Sequence, residues 1–249
     1  MALLFCATLV EFSTHYCLPP TMPPIDSMLR QLFTVPVGLC AGSVAGDGSD
    51  LYPEELVAVE RAVPKRVAEY AAGRRCARAA LAQLGVAACA LPSRSDRTPQ
   101  WPEGYTGSIS HTATRCVAVA VRLDTVASVG IDVEPALLAD AALYPFICRA
   151  DQLAELAART ELPLPAWMAL VFSAKEAFYK AYYPLMQRFL EFDEVRVTFS
   201  VDADSDGVMS GSFRADVDGA AQPLPAGLKA QGCWLRDGEH VYTGVTCGA

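Results

Sequence analysis

The periodicity of this chain switches between helical and strand-like twice over, and that double switch constrains the fold more than any other feature. A helical stretch opens at Tyr52-Pro53-Glu54-Glu55, where a proline and acids suit a first turn. It resumes after Pro64 and runs to Leu84, with Gly85 placed to close it. Residues 91–107 read as loop, punctuated by Pro92, Pro99, Pro102, Gly104 and Gly107. Two short β-branched runs follow, Val117–Val121 and Val126–Glu134, which predict strands joined by a turn at Arg122–Thr125. The pattern then starts again. Leu137–Ala158 reads as helix broken near Pro145, and Ala166–Tyr183 as the strongest helix, ended by Pro184. From Val195 to Thr246 short β-rich runs alternate with Asp-Gly turns at 206–207, 218–219 and 237–238, the pattern of an antiparallel sheet. Helix then strands, twice, with no sequence repeat, predicts an α+β fold of two similar halves, residues 1–125 and 126–249, joined near 122–128.

Residues 1–50 read as partly irregular. Met1–Val10 is apolar and is either a first strand or a loose tail. It lacks a basic flank and meets Glu11 at once, which disfavours a secretory signal. Residues 18–26 are proline-rich, and Gly42–Asp50 is loose in composition.

Composition narrows the function. With 52% hydrophobic residues in 249, the chain can bury a substantial core, and 19% charged residues argue against disorder over most of its length. No apolar run approaches the roughly 20 residues that cross a bilayer, so no membrane role is expected. A net charge of −8 disfavours nucleic-acid binding without excluding a local basic site. The nine cysteines are odd in number and form no C-x-x-C pair, so neither a zinc knuckle nor a disulfide scaffold is expected. Scattered among Ala and Val, they read as core residues of a reducing, cytoplasmic compartment.

Three segments carry chemistry. Asp132 and Glu134 lie two apart at a predicted strand end and share a face. Two carboxylates at 4 Å repel by about 1–4 kcal/mol, depending on the local dielectric. Either solvent screens them or a cation sits between them. Glu176 lies mid-helix with Lys180 four residues on, which is either a surface ion pair or part of a site. Gly107-Ser108-Ile109-Ser110-His111 is either a capped turn entering a strand or a phosphate cradle. A fourth region, Arg61–Arg78, is locally basic in an acidic chain. Arg74 and Arg78 share a face with Arg66 roughly on it, either as a solvated face or as an anion site. Together, three carboxylates with nearby lysines and arginines are the equipment of phosphoryl transfer. No Walker loop accompanies them.

Gly-Ile-Asp-Val-Glu at 130–134 and Lys-Glu-Ala-Phe-Tyr-Lys at 175–180, about forty residues apart, resemble the two motifs of the 4′-phosphopantetheinyl transferases. The type is that of the surfactin and enterobactin synthetase activators, and Ser-Ile-Ser-His at 108–111 is similar to the motif upstream. The Arg66–Leu81 helix, Trp101-Pro102-Glu-Gly104 and Tyr183–Phe192 resemble the siderophore and actinobacterial subgroup. The resemblance covers residues 52–200 well, the last fifty loosely and the first fifty not at all.

The resemblance implies two α+β halves related by a pseudo-twofold axis, each with a small antiparallel sheet and helices, and an active site in the cleft between them. It implies transfer of phosphopantetheine from coenzyme A, the co-substrate, to a serine of an apo acyl, polyketide or peptidyl carrier protein, with release of 3′,5′-ADP. Asp132, Glu134 and Glu176 would hold Mg²⁺, or Mn²⁺ in its place. Glu176 would be the base, directly or through water, and Lys180 would favour departure of the leaving group. Lys175 and Lys180 would contact phosphates, as would Ser110 and His111. Arg66 and Arg74 would form the 3′-phosphate site, with Arg97 assisting. The enzyme would act as a monomer.

One motif position departs from the family: Phe172 stands where tryptophan is usual. Carrier proteins of the family are usually acidic, as this chain is, so docking needs a local basic or apolar patch. Two rival readings share these residues: a metal-dependent phosphatase or nucleotidyl enzyme, and a non-catalytic coenzyme A-binding module. All three carboxylates and both lysines being present argues against the module.

Overall fold

The computed structural model describes residues 25–205, 207–218 and 222–248. The readings made on Met1–Val10 and on most of the proline-rich stretch lie outside the described residues.

The chain is α+β with two antiparallel sheets. A short helix, α1 (Ile25–Leu29), precedes strand β1 (Gly38–Ser43), helix α2 (Pro53–Leu56) and the long helix α3 (Pro64–Gln83). Then come β2 (Tyr105–His111), β3 (Arg115–Arg122) and β4 (Ser128–Pro135). Helices α4 (Tyr144–Ile147), α5 (Ala150–Ala157) and α6 (Leu164–Met186) follow. Strands β5 (Val195–Phe199), β6 (Ala203–Ser205), β7 (Val208–Val217), β8 (Lys229–Arg236) and β9 (His240–Gly248) complete the order.

The first sheet runs β1-β3-β2, and α3 packs on it. The second runs β4-β9-β8-β7-β5, with β6 beside β7, and α6 packs against β4 and β9. Strand β1 departs from the expectation of loose chain from Gly42. It pairs with β3 from Gly38↔Ala120 to Ser43↔Arg115, and its Gly-rich sequence is what hid it. The glycine is required there: a Cβ on Gly38 would run into the Ala80 carbonyl of α3. Gly130 of β4 has the same relation to the Ala177 carbonyl of α6. In both places a bare strand residue lets a helix sit close on the sheet.

Two further differences have local causes. The Leu137–Ala158 region breaks not at Pro145, which sits in the first turn of α4, but at the extended Cys148 and Arg149, which divide α4 from α5. Pro184 does not end α6, which runs on to Met186 and stops at Gln187 in a left-handed cap. Gly85 closes α3 region with φ +82°, as the sequence suggests.

The larger core lies under α6, where Trp167, Phe178 and Tyr182 are almost fully buried. Each such side chain contributes about 1.5–3 kcal/mol by burial. Ser173 and Thr243 bond through their hydroxyls at 2.8 Å, and Thr243 Oγ1 donates to the Ser173 carbonyl at 2.9 Å. Thr243 lies opposite Asp132 in the β4–β9 register. These contacts fix α6 beside the strand that carries the carboxylates. Phe172 packs on this core and stacks on Phe192 with centroids 5.4 Å apart.

Candidate active site

Strands β2 and β4 lie against each other but belong to different sheets, and the polar residues meet at this seam. Lys180 reaches across from α6 and donates to Asp132 Oδ1 at 2.6 Å. Ser110 of β2 donates to the same oxygen at 2.7 Å and accepts from Lys180 at 3.0 Å. Ser108 donates to the Ile131 carbonyl at 3.4 Å. Asp132 is buried, and its Oδ2 has no protein partner.

Glu134 and Glu176 complete the acidic group. Burial first, then the charge of Asp132, pushes the Glu134 carboxyl up to about 8. Burial also raises Glu176, with Lys180 opposing the shift and Asp132 adding to it. The three acids therefore feel one another in a poorly solvated setting. Among the described residues no three acidic, His or Cys side chains converge as a formed metal-ligand set. The donor chemistry still fits a hard divalent cation. It offers carboxylate oxygens, one of them buried and bare, and excess negative charge that disfavours ionisation without a counter-charge.

Four of the expected phosphate residues, Arg66, Arg74, Arg97 and His111, gather on the other side of β2. A cavity of about 930 Å³ is lined by Arg66, Arg74, Arg97 and His111, together with Arg94 and Ser93. Arg74 is buried, donates to Tyr70 Oη and Ser93 Oγ at 3.0 Å each, and lies over the Tyr70 ring. Burial lowers its pKa, as expected of a guanidinium short of counter-charge. Arg66 Nη1 lies 3.2 Å from His111 Nε2 and 3.4 Å from Glu69. Arg97 sits in the left-handed region at φ 70°, within a loop closed by the Ser93–Pro99 bridge.

Arg78 does not join this face. It pairs with the fully buried Glu55 at 2.8 Å. Lys175 is also placed elsewhere: its ammonium donates to the Ile147 and Phe192 carbonyls at 2.7 Å each, and burial lowers it to about 8. The Ser-Ile-Ser-His segment is strand throughout and forms no turn, so its side chains leave on two alternating faces.

Sequence reasoning missed Ser93, Tyr70 and Arg94 as partners, because the loop and helix carrying them meet through tertiary packing. It also missed a further cavity of about 840 Å³, lined by Trp101, Tyr105, Tyr179 and Tyr183 together with Lys180. Asp96 and Tyr183 bond across it at 3.3 Å. Proline and glycine around Trp101 flagged a loop and gave no sign of a wall.

An arginine-lined cavity beside a carboxylate–lysine cluster is the arrangement of an enzyme that handles a polyphosphate. The 4′-phosphopantetheinyl transferase N-terminal domain matches residues 53–121, and the 4′-phosphopantetheinyl transferase superfamily matches residues 128–222. The 4′-phosphopantetheinyl transferase PptT of Mycobacterium tuberculosis is 37% identical over 201 residues, covering 78% of this chain and 84% of that protein. Npt of Nocardia iowensis, a 4′-phosphopantetheinyl transferase, is 33% identical over 78% of this chain and 91% of its own length. Svp of Streptomyces mobaraensis, of the same name, is 43% identical over 61% of this chain and 63% of its own. The chain belongs to the 4′-phosphopantetheinyl transferase family, in its siderophore and actinobacterial type, and is a transferase. Among the described residues no helix is long and apolar enough to cross a membrane.

Proposed function

We propose that this enzyme transfers 4′-phosphopantetheine from coenzyme A to a serine of an apo acyl or peptidyl carrier protein, releasing 3′,5′-ADP. The observation that carries the reading is the Asp132–Lys180–Ser110 cluster lying across β2 from the cavity of Arg66, Arg74, Arg97 and His111. Such a layout can hold a nucleotide's phosphates on one side and the reacting phosphorus on the other. The Gly38–Ala80 and Gly130–Ala177 contacts support reading the two halves as related by a pseudo-twofold axis, with the active site in the cleft between them.

Arg74 and Arg66 take the 3′-phosphate in this reading, with Arg97 closing from the loop and His111 reaching the pyrophosphate. The serine oxygen attacks the β-phosphorus in line, the bond to the bridging oxygen breaks, and 3′,5′-ADP departs. Glu176 accepts the serine proton, and burial, which raises its carboxyl above the ordinary range, makes it a stronger base than a solvated carboxylate. Lys180 donates to the oxygens that gain negative charge. Asp132, Glu134 and Glu176 are the residues that would hold Mg²⁺ or Mn²⁺, which when bound supplies charge neutralisation of the pyrophosphate. Lys175 anchors α6 to the carbonyls of Ile147 and Phe192, and its family role at phosphate would require it to leave them. We place the enzyme in the cytoplasm as a monomer.

Intact-protein mass spectrometry tests this. An apo acyl carrier protein incubated with the enzyme, coenzyme A and Mg²⁺ should gain the mass of one phosphopantetheine, and chelator should prevent the gain. No gain on acyl, polyketide and peptidyl carriers alike would refute the reading.

A further inference from the structure

Resting on that reading, we propose that Ser110 is a positioning residue, which presents Asp132 to the cation and is not itself a contact to coenzyme A. Along β2 Thr106, Ser108 and Ser110 are buried, while Tyr105, Ile109 and His111 are half-buried on the opposite face. Neighbouring strand residues leave on opposite sides. His111 accordingly meets Arg66 in the arginine-lined cavity, and Ser110 meets Asp132 at the seam. Ser110 is absent from the lining of that cavity, whereas His111 and Ile109 belong to it.

The hydroxyl is also committed. A serine has one hydrogen to donate and two lone pairs. Its hydrogen goes to Asp132 Oδ1, and a lone pair takes the Lys180 ammonium. To donate to a phosphate it would have to release Asp132. Both Ser110 and Lys180 converge on the same oxygen, Oδ1, and this leaves Oδ2 buried with no donor. A bare buried carboxylate oxygen is costly unless something positive meets it. The terminal torsion of an aspartate is soft and roughly two-fold, so without a second bond the carboxylate can turn and exchange its oxygens. Lys180 is a flexible point charge that can follow such a turn. The short hydroxyl on a strand cannot, and it decides which oxygen stays free.

Ser110→Ala removes the hydroxyl and adds no bulk. The pair Ser110→Thr and Ser110→Val differs chiefly in a hydroxyl against a methyl, so that comparison holds even where the strand resents a small residue. Mn²⁺ uptake would be followed by the loss of its free-ion electron paramagnetic resonance signal, with coenzyme A present. In parallel, KM for coenzyme A and kcat would be measured with an apo carrier protein. Outer-shell partners of metal ligands typically govern affinity by about 10–100-fold. Ser110→Ala and Ser110→Val should weaken Mn²⁺ binding about tenfold or more, Ser110→Thr should stay near wild type, and KM for coenzyme A should move less than about threefold. Unchanged Mn²⁺ affinity in Ser110→Ala, with a raised KM for coenzyme A, would overturn the proposal and return Ser110 to the phosphates. Wild-type enzyme that takes up no Mn²⁺ would defeat the cation reading itself, a result visible before any variant is compared.

Discussion

Replacing Glu55 by alanine should destabilise the protein more than any surface change, and the structure gives the size. The Glu55 carboxylate is fully buried and takes Arg78 Nη1 on both oxygens, at 2.8 and 2.9 Å. It also accepts the Leu91 and Tyr52 amides at 2.8 and 2.9 Å. Removing it strands a guanidinium whose side chain is 13% exposed and leaves the Leu91 N–H without an acceptor. Breaking one partner out of a buried pair costs about 3–5 kcal/mol. The orphaned amide falls in a range of about 1–3 kcal/mol, only partly additive with the first. A loss of about 4 kcal/mol is therefore expected, and urea denaturation should show it as a lower midpoint with an unchanged slope. In a chain of this size that corresponds to a Tm lowered by about 8–16 °C. Glu55→Leu combined with Arg78→Met should recover much of the loss, since no charge is left unpaired. A single-variant loss below about 1 kcal/mol would refute the reasoning, because it would mean that water reaches the pair.

Asp132→Ala and Glu176→Ala should each abolish carrier modification while thermal unfolding stays cooperative; normal turnover in saturating Mg²⁺ would remove them from the site. Arg74→Ala should raise KM for coenzyme A more than for 3′-dephospho-coenzyme A, and an equal effect on both would rule out a 3′-phosphate contact. Gly130→Ala should cost about 1–3 kcal/mol by forcing β4 away from α6, and should lower kcat because Asp132 moves with the strand. Burial holds the His240 imidazole below its ordinary range, so the unfolded chain takes up a proton that the folded one refuses. Stability contributed by neutral His240 is thus present above the unfolded pKa and lost as pH falls below about 6.5. His240→Phe should flatten that acid-side loss in urea melts at pH 5.5 and 8.

The long elements were legible because their signals are local. Proline at the first turn of α3, Gly85 just beyond it and the β-branched runs of β3 and β4 each state their structure within a few residues. Strand β1 was not legible, since its end from Gly42 read as loose chain and the reason for Gly38, the close approach of α3, is a tertiary fact. The pairing of Asp132 with Glu134 followed from strand alternation. Its neighbours did not: nothing near Lys180 in sequence points to Ser110, seventy positions away. The role of Arg78 was hidden in the same way: it looks like its neighbour Arg74 on the helix, and its buried partner Glu55 lies 23 positions back. Lys175 and Lys180 look alike in the motif, yet one is turned to backbone carbonyls and the other to a carboxylate.

The seam between β2 and β4 has a mechanical consequence. A ladder of backbone hydrogen bonds is stiff to shear, because displacement breaks several bonds at once. Here the two sheets meet through side chains, Ser108 to the Ile131 carbonyl and Ser110 with Lys180 to Asp132. Such rivets yield by torsion before they break. The bonds that join the sheets at this seam are therefore also the bonds that hold Asp132. Under the proposed function, any shift of one sheet against the other reaches Asp132 through the same two bonds that select its free oxygen.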